Sequence, residues 1–451
     1  MPQQNSEPEP PKKKKASSVR HTRAIQRDRS KRPNTAPPDE VVEGRLDELV
    51  SPAVYAQVDV YQALGLRERI LTLPIMVAFV LSLIWRQFGS VREAVRVLNE
   101  EGLLWTDPIE VSHQALSLRL RTFPAQLFEQ IWRDLLPKLL QRWGQRQRPL
   151  APVLQWAQTH FTAVLILDGS TLDALLHKVG LLRDREGTVL AGRMAALLDL
   201  LSRLPRELWY EEDEQAHDQR FWERALATLK AGTLLIFDLG FLNYPVFDQL
   251  TEQGVSLLTR IKKNTAYQVE QVLQRTATVH DQVIRLGSSK ASQCTHPMRL
   301  VEVLYHGTWY RYVTNVVDPQ GLPATYVMAL YWQRWRVEDA FNAIKRLLGL
   351  AYFWVGSING IMVQVWATWL LYAVLVDLTD AVAEELHRPF SALSMEMVFR
   401  GLYHFTQAHQ RGQADDPVAY LAAKAKALDI LKQRRKNSSS DLLNLTNLSG
   451  P

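Results

Sequence analysis

The chain has 451 residues, 47% of them hydrophobic and 22% charged, which excludes wholesale disorder and a collagen-like repeat. That length accommodates about two to four domains. The net charge of +6 is uneven: residues 12–32 contribute +9 and residues 424–436 contribute +5, leaving 37 basic against 45 acidic residues elsewhere. Basic ends suit either a polyanionic partner or a solvated tail, and composition does not choose between them. A single cysteine, Cys294, rules out a disulfide within the chain and gives no reason to expect an oxidising compartment.

In chain order, residues 1–45 are basic, Pro-containing and poor in large apolar side chains, and read as a disordered tail. Residues 46–150 read as a helical domain, with apolar residues at helical spacing over 70–86, 90–101, 112–121 and 124–143. Ser90 and Ser112 are placed as N-caps of two successive helices. That pair suits a helix-turn-helix whose second helix offers Arg119 and Arg121 to DNA. The competing reading is an amphipathic helix packed on its neighbour with its arginines in water. Two apolar runs, Ile70–Trp85 and Ile361–Val376, are each about sixteen residues, short of the roughly 18 of a membrane span. They read as buried helices, so the expected location is the cytoplasm, with no membrane partner.

From residue 161 the pattern changes. Phe161–Asp168 and Thr233–Asp238 are short apolar runs, each ending in an acid. Met194–Leu201 and Glu207–Tyr210 flank Leu204-Pro205 as a candidate hairpin. Asn243–Gln253 reads as a helix stopped by Gly254, and Val255–Arg260 as a further strand. Residues 265–316 are β-rich, Thr325–Leu348 reads as one long helix, 361–386 as another, and the chain is loose again from about 437. The spacing predicts an α/β core in residues 151–360 with a β-rich insertion at about 263–320, then a helical C-terminal region over 361–436 and a loose tail at 437–451.

Three acids carry the chemical argument. Asp168 and Asp238 end buried strands, and an acid there sits at the sheet edge where ligands bind. Gly169-Ser170 and Gly240 follow them and leave room for a ligand to approach. The third acid, Glu338, lies in the late helix. At roughly 100° per residue, Tyr331, Arg334, Glu338 and Lys345 share an arc of about 60°. A solvated face would also place charges so, but Tyr331 and the neighbouring Trp332 and Trp335 argue for a packed helix. Three carboxylates beside two cations suit phosphoryl chemistry on a nucleic acid, with Mg²⁺ on oxygen ligands and two ions able to serve the attacking and leaving oxygens. Asp173, Asp199 and the pair His217-Asp218 read as structural, capping or surface residues.

These residues resemble a known family, the DDE transposases of bacterial insertion sequences, of the insertion-sequence-four type. Its signature Tyr-x2-Arg-x3-Glu-x6-Lys is matched by Tyr331, Arg334, Glu338 and Lys345, and its Asp contexts by Leu165–Asp173 and Asp238-Leu-Gly240-Phe241. The resemblance covers about residues 90–375 and implies an RNase H-like mixed-sheet catalytic core. It implies Asp168, Asp238 and Glu338 as catalytic metal ligands, with Mg²⁺, expected as two ions and replaceable by Mn²⁺. Tyr331, Arg334 and Lys345 would hold the transposon-end backbone, with Trp309 and Trp335 as candidate base contacts. The implied partners are double-stranded transposon ends and target DNA, and a second copy of the chain when two ends are paired. Two other readings stay open: a non-catalytic DNA-binding protein derived from a transposon, and a nuclease on the same core without strand transfer.

Overall fold

The computed structural model describes residues 40–66, 69–88, 90–172, 192–213, 217–287, 293–350, 354 and 357–432. The basic stretch 12–32, Asp173 and the end of the chain from 433 lie outside them.

The centre of the molecule is a nine-stranded mixed sheet. Its strands are β1 (Ala163–Leu172), β2 (Gly192–Asp199), β3 (Pro205–Glu211), β4 (Thr233–Phe237), β5 (Ser256–Arg260), β6 (Tyr267–Arg275), β7 (Val279–Leu286), β8 (Met298–Tyr305) and β9 (Thr308–Thr314). They lie in the order β3-β2-β1-β4-β5-β9-β8-β7-β6. β2 runs antiparallel to both β1 and β3, whereas β4 runs parallel to β1 and β5 parallel to β4. This 3-2-1-4-5 arrangement is the RNase H-like core expected above. The β-rich stretch does not stand apart from it. β9 pairs antiparallel with β5, so β6–β9 extend the same sheet.

Strand alternation sorts the core into two faces. Val164 and Ile166 of β1 pack with the long helices, while Leu165 and Leu167 pack with Phe221, Trp222, Phe237 and Phe247 on the other side. The period of two therefore aims Asp168 at the face that carries the late helices.

The N-terminal helices begin at Glu40, inside the stretch read as tail, with Glu40–Leu49 already helical. The helix pair is Val91–Glu100 and His113–Thr122, capped by the hydroxyls of Ser90 and Ser112, which accept from Glu93 N and Ala115 N.

One expectation about the late helices needs correction. The single helix over 325–348 is instead Ala324–Trp332, then Trp335–Asn342, then a π turn at Ala343–Leu347. The break is made by three-residue hydrogen bonds: Arg334 N to Tyr331 O at 2.9 Å, Arg336 N to Gln333 O at 2.8 Å and Val337 N to Arg334 O at 3.1 Å. In such a turn side chains three apart eclipse, which stacks Arg334 over Tyr331 more closely than an α-helix would.

The apolar run at 361–376 lies within the helix expected over 361–386. It belongs to a helix of 28 residues, Ile358–Glu385, that continues through Asp377 and Asp380. Both buried acids are neutralised by arginines from elsewhere: Arg146 reaches Asp377 at 2.7 Å and Asp380 at 3.2 Å, Arg45 reaches Asp377 at 3.2 Å, and Arg148 pairs with Asp380. By length and composition this helix could cross a membrane, with mean hydropathy 1.7 in its most apolar stretch, and 94% of that stretch is buried inside the protein.

Candidate active site

Register brings the first two acids together. Leu167 of β1 lies opposite Phe237 of the parallel β4, so Asp168 and Asp238 lie side by side; β4 ends just before Asp238 as expected, but β1 runs on to Leu172, so Asp168 lies within its strand, paired with Ala196 of β2, rather than at its end. Each is fixed by a local hydrogen bond: Gly169 N donates to Asp168 Oδ1 at 2.8 Å, and Gly240 N donates to Asp238 Oδ1 at 2.8 Å. The Asp238 carboxylate thereby caps the short turn Leu239–Phe241.

Glu338 joins them through a cation. Arg334 donates to Asp168 Oδ2 at 2.6 Å and to Glu338 Oε1 at 2.8 Å, bridging strand and helix. Lys345, in the π turn, donates to Ser170 Oγ at 2.6 Å and to the Thr171 carbonyl. Tyr331 is buried against Tyr312, with ring centroids 5.2 Å apart. Burial pushes the pKa of its phenol up, and Arg334 beside it opposes the rise. The four residues of the late-helix stripe are thus directed at one sheet edge, despite the broken helix.

Asp168 is 8% exposed. Burial pushes its carboxyl up to about 7, Arg334 opposes this, and the neighbouring Asp238 and Glu338 carboxylates add to it. A buried carboxylate among others calls for a cation.

A fourth carboxylate, Asp218, read from the sequence as a capping or surface residue, completes the cluster instead. Asp218 forms an ion pair with Arg193 at 2.6 Å. A Cβ on Gly169 would meet Asp218 Oδ1 at 2.5 Å, and one on Gly240 would meet Asp218 Oδ2 at 2.6 Å. The space beside those two glycines is therefore filled by Asp218 rather than left for a ligand. Its carboxyl is raised by burial, lowered by Arg193 and raised by Asp238. His217 does cap, its Nδ1 accepting from Gln219 N at 3.4 Å. Asp218 precedes a helix rather than ending an apolar strand, so no periodicity marks it.

The donor set fits a hard divalent cation in kind, all oxygen and carboxylate. Among the described residues, however, no group of three His, Cys, Asp or Glu side chains converges closely enough to hold a metal ion. Arg334 stands between Asp168 and Glu338 and supplies the positive charge instead. The buried Nε atoms of Arg193 and Arg334 have no hydrogen-bond partner, which leaves two donors at this edge for an anion.

The other candidates are dispersed. Trp335 is 59% exposed beside the cluster, its ring 5.6 Å from the Arg334 guanidinium, so it is not a core residue. Trp309 is 36% exposed and stacks on His280 with centroids 4.5 Å apart, a cross-strand aromatic pair. Arg119 is a correction: it donates to the buried Tyr61 hydroxyl at 2.9 Å and so ties its helix to the core rather than facing outward. Arg121 is exposed, on the same helix face as Gln114 and Leu118, the latter 60% exposed. Asp199 sits at the far end of β2, paired with Arg206 at 2.7 Å, and is structural. Cys294 is buried, with its thiol pushed up to about 12 by burial.

The family model described as "Transposase DDE domain" matches residues 159–373. The curated protein named "Putative transposase y4zB", from Sinorhizobium fredii (strain NBRC 101917 / NGR234), is 29% identical over 156 residues. That match spans 33% of this chain and 43% of the relative. Among solved structures, a piggyBac transposase synaptic complex with hairpin DNA, determined by cryo-EM, aligns over 88% of this chain and 85% of its own, with a TM-score of 0.38 and 11% identity.

Proposed function

The chain belongs to the DDE transposases, a family of enzymes that transfer phosphoryl groups on DNA, and from that premise we propose that it binds the terminal inverted repeats of its own element, cleaves the DNA there and joins the freed 3′-OH ends to target DNA. The observation that carries this reading is the register that sets Asp168 beside Asp238, with Glu338 tied to them through Arg334. The acids at this edge that the family would assign to its divalent metal, Mg²⁺ or Mn²⁺, are Asp168, Asp238 and Glu338, and they would hold it only once Arg334 withdraws from between Asp168 and Glu338. When bound, that metal would activate the attacking oxygen and stabilise the leaving one.

The remaining work belongs to the chain itself. Arg334 offsets the repulsion among the acids, and its unpartnered Nε is a donor for a scissile-strand phosphate. Lys345 fixes the strand that carries Asp168 and adds positive charge at the same edge. Tyr331 buttresses Arg334 from below. Trp335, exposed at the rim, offers a face on which a base can stack. The exposed face of His113–Thr122 bearing Gln114, Leu118 and Arg121 is the surface that would enter a DNA groove. Pairing two ends calls for two copies of the chain, acting in the cytoplasm on the nucleoid.

Asp168→Asn, Asp238→Asn and Glu338→Gln should each cut metal-dependent cleavage of inverted-repeat DNA by about 10³-fold or more while leaving duplex binding in place. Wild-type cleavage in any of them would remove that acid from the site. Supplying pre-cleaved ends separates a transposase from a nuclease, because only the former yields joined products. Binding of ends with no metal-dependent product would leave a DNA-binding protein.

A further inference from the structure

Behind the late helix lies a second charged feature that this function does not use. A cavity of about 190 Å³ is lined by five cationic side chains, Arg203, Arg336, Arg346, Arg400 and Lys432. Among the described residues, two acids line it, Asp339 and Glu396. The cations come from four separate segments: the turn between β2 and β3, the helix Trp335–Asn342 with its π turn, the helix Met395–Gln410, and the chain just beyond residue 430. Folding has thus gathered like charges that the sequence holds far apart.

Several features show a built site rather than a chance patch. Arg203 has φ +62°, a left-handed conformation unusual for a side-chain-bearing residue. It is held there by its own N–H to the Asp199 carbonyl at 2.8 Å and by the Tyr372 hydroxyl, which donates to its carbonyl at 3.2 Å. Its guanidinium lies 4.1 Å from the Phe390 ring centre, which fixes the charge at the cavity. Backbone strain of this kind is characteristic of ligand clamps. The helix Met395–Gln410 starts at the cavity wall with Ser394 as its cap, so its first turn adds the positive end of a helix dipole. Two of the cations are also partly paired: Arg336 reaches Asp339 at 3.4 Å, and Arg400 reaches Glu396 at 2.6 Å.

We propose that this cavity binds a phosphate group, held between the turn at Arg203 and the start of the helix Met395–Gln410. The volume is many times the roughly 10–15 Å³ that a single water needs on the same measure, enough for a tetrahedral oxyanion. Guanidinium forks match its geometry. The electrostatics agree. Burial first, then Arg203 and Arg336, pushes the Lys432 ammonium down to about 8, and burial first, then Arg336, pushes Arg203 down to about 9. Cations that depress one another in this way await an anion. Lys432 is surrounded by protein and still wetted, because it lines an open cavity. The phosphate has two candidate sources, the backbone of bound DNA or free inorganic phosphate, and the chemistry recognised is the same.

The test titrates the full chain with inorganic phosphate and, separately, with a duplex, at constant ionic strength against chloride. Wild-type protein should take up phosphate, and the double variant Lys432→Gln, Arg400→Gln should bind it about tenfold or more weakly. If the phosphate is that of DNA, the double variant should also flatten the salt dependence of duplex binding by about two units of slope. If it is free phosphate, duplex binding should be unchanged while phosphate uptake is lost. Either pattern supports the site and is independent of cleavage. Failure of wild-type protein to bind phosphate at constant ionic strength, with a duplex salt dependence that the double variant leaves unaltered, overturns it. So does full wild-type binding of both by the double variant. Because neither residue lies in the acid cluster, metal-dependent cleavage of free ends reads out the proposed activity separately.

Discussion

At the residue scale, the molecule repeatedly opposes one local rule to another. Lys432 is the clearest case for a measurement. It lines the same cavity as Arg203, Arg336, Arg346 and Arg400, with Asp339 and Glu396 the acids among the described lining residues. Its ammonium drops from an ordinary 10.5 to about 8, chiefly through burial and then through Arg203 and Arg336. A base depressed on folding penalises the folded state wherever it is protonated. The penalty is complete below about pH 8 and vanishes above 10.5. Lys432→Met should therefore melt at a higher temperature than wild type at pH 7, with the gap closing as pH rises from 8 towards 10.5. A gap that stays constant across that range would assign the effect to packing instead. Asp218 shows how far sequence reaches at this scale. Asp168 and Asp238 are legible because an apolar strand runs into each, and Glu338 because Arg334 and Lys345 flank it at fixed offsets. Asp218 carries no such mark, and only the folded chain brings it against Gly169 and Gly240. Arg119 fails for the mirror reason, since its partner Tyr61 lies 58 residues away.

At the element scale, the helix Ile358–Glu385 tests what lets a buried element tolerate charge. Its acids Asp377 and Asp380 are buried, and Arg146 serves both. Burial raises the Asp380 carboxyl, and Arg148 and Arg146 pull it back. Removing one partner of such a cluster leaves an uncompensated buried charge, at a cost of about 3–5 kcal/mol. Arg146→Ala should lower stability to denaturant by that order, and Asp377→Asn combined with Asp380→Asn should restore part of it. A loss below about 1 kcal/mol would mean that Arg45 and Arg148 suffice. The spacing shows this helix over 361–386, close to its observed bounds, but not what lets Asp377 and Asp380 stay buried within it. The arginine that neutralises Asp377 lies 231 residues upstream. Likewise, the hydrophobic spacing over 325–348 does not reveal the tightened turn at 333–337, because both helical forms bury the same residues.

At the scale of the whole molecule, the uneven charge is the property to test. Residues 12–32 carry ten Lys and Arg against one acid, and a body rich in carboxylates follows. If the basic stretch meets DNA, removing residues 1–39 should weaken duplex binding at low salt and reduce its salt slope, with metal-dependent cleavage of saturating substrate retained. An unchanged slope would leave the stretch as a solubility device. Most of the architecture was readable at this scale: strands ending in acids, a β-rich stretch and late helices gave the α/β reading. What the pattern did not show is that the β-rich stretch pairs through β9 with β5. Strand pairing is a long-range choice that alternation alone leaves open.

That pairing turns the molecule into a ruler. From β1, which bears Asp168, to β9, which bears Trp309, the sheet takes three steps through β4 and β5, about 14 Å at ~4.8 Å each. No hinge loop lies between the acid edge and the strands of the insertion, only a hydrogen-bonded plate. Whatever the insertion grips is thus held at a set spacing from the point of cutting. Lengthening a surface loop would not alter that spacing, whereas a one-residue slip between β5 and β9 would turn every insertion side chain to the opposite face.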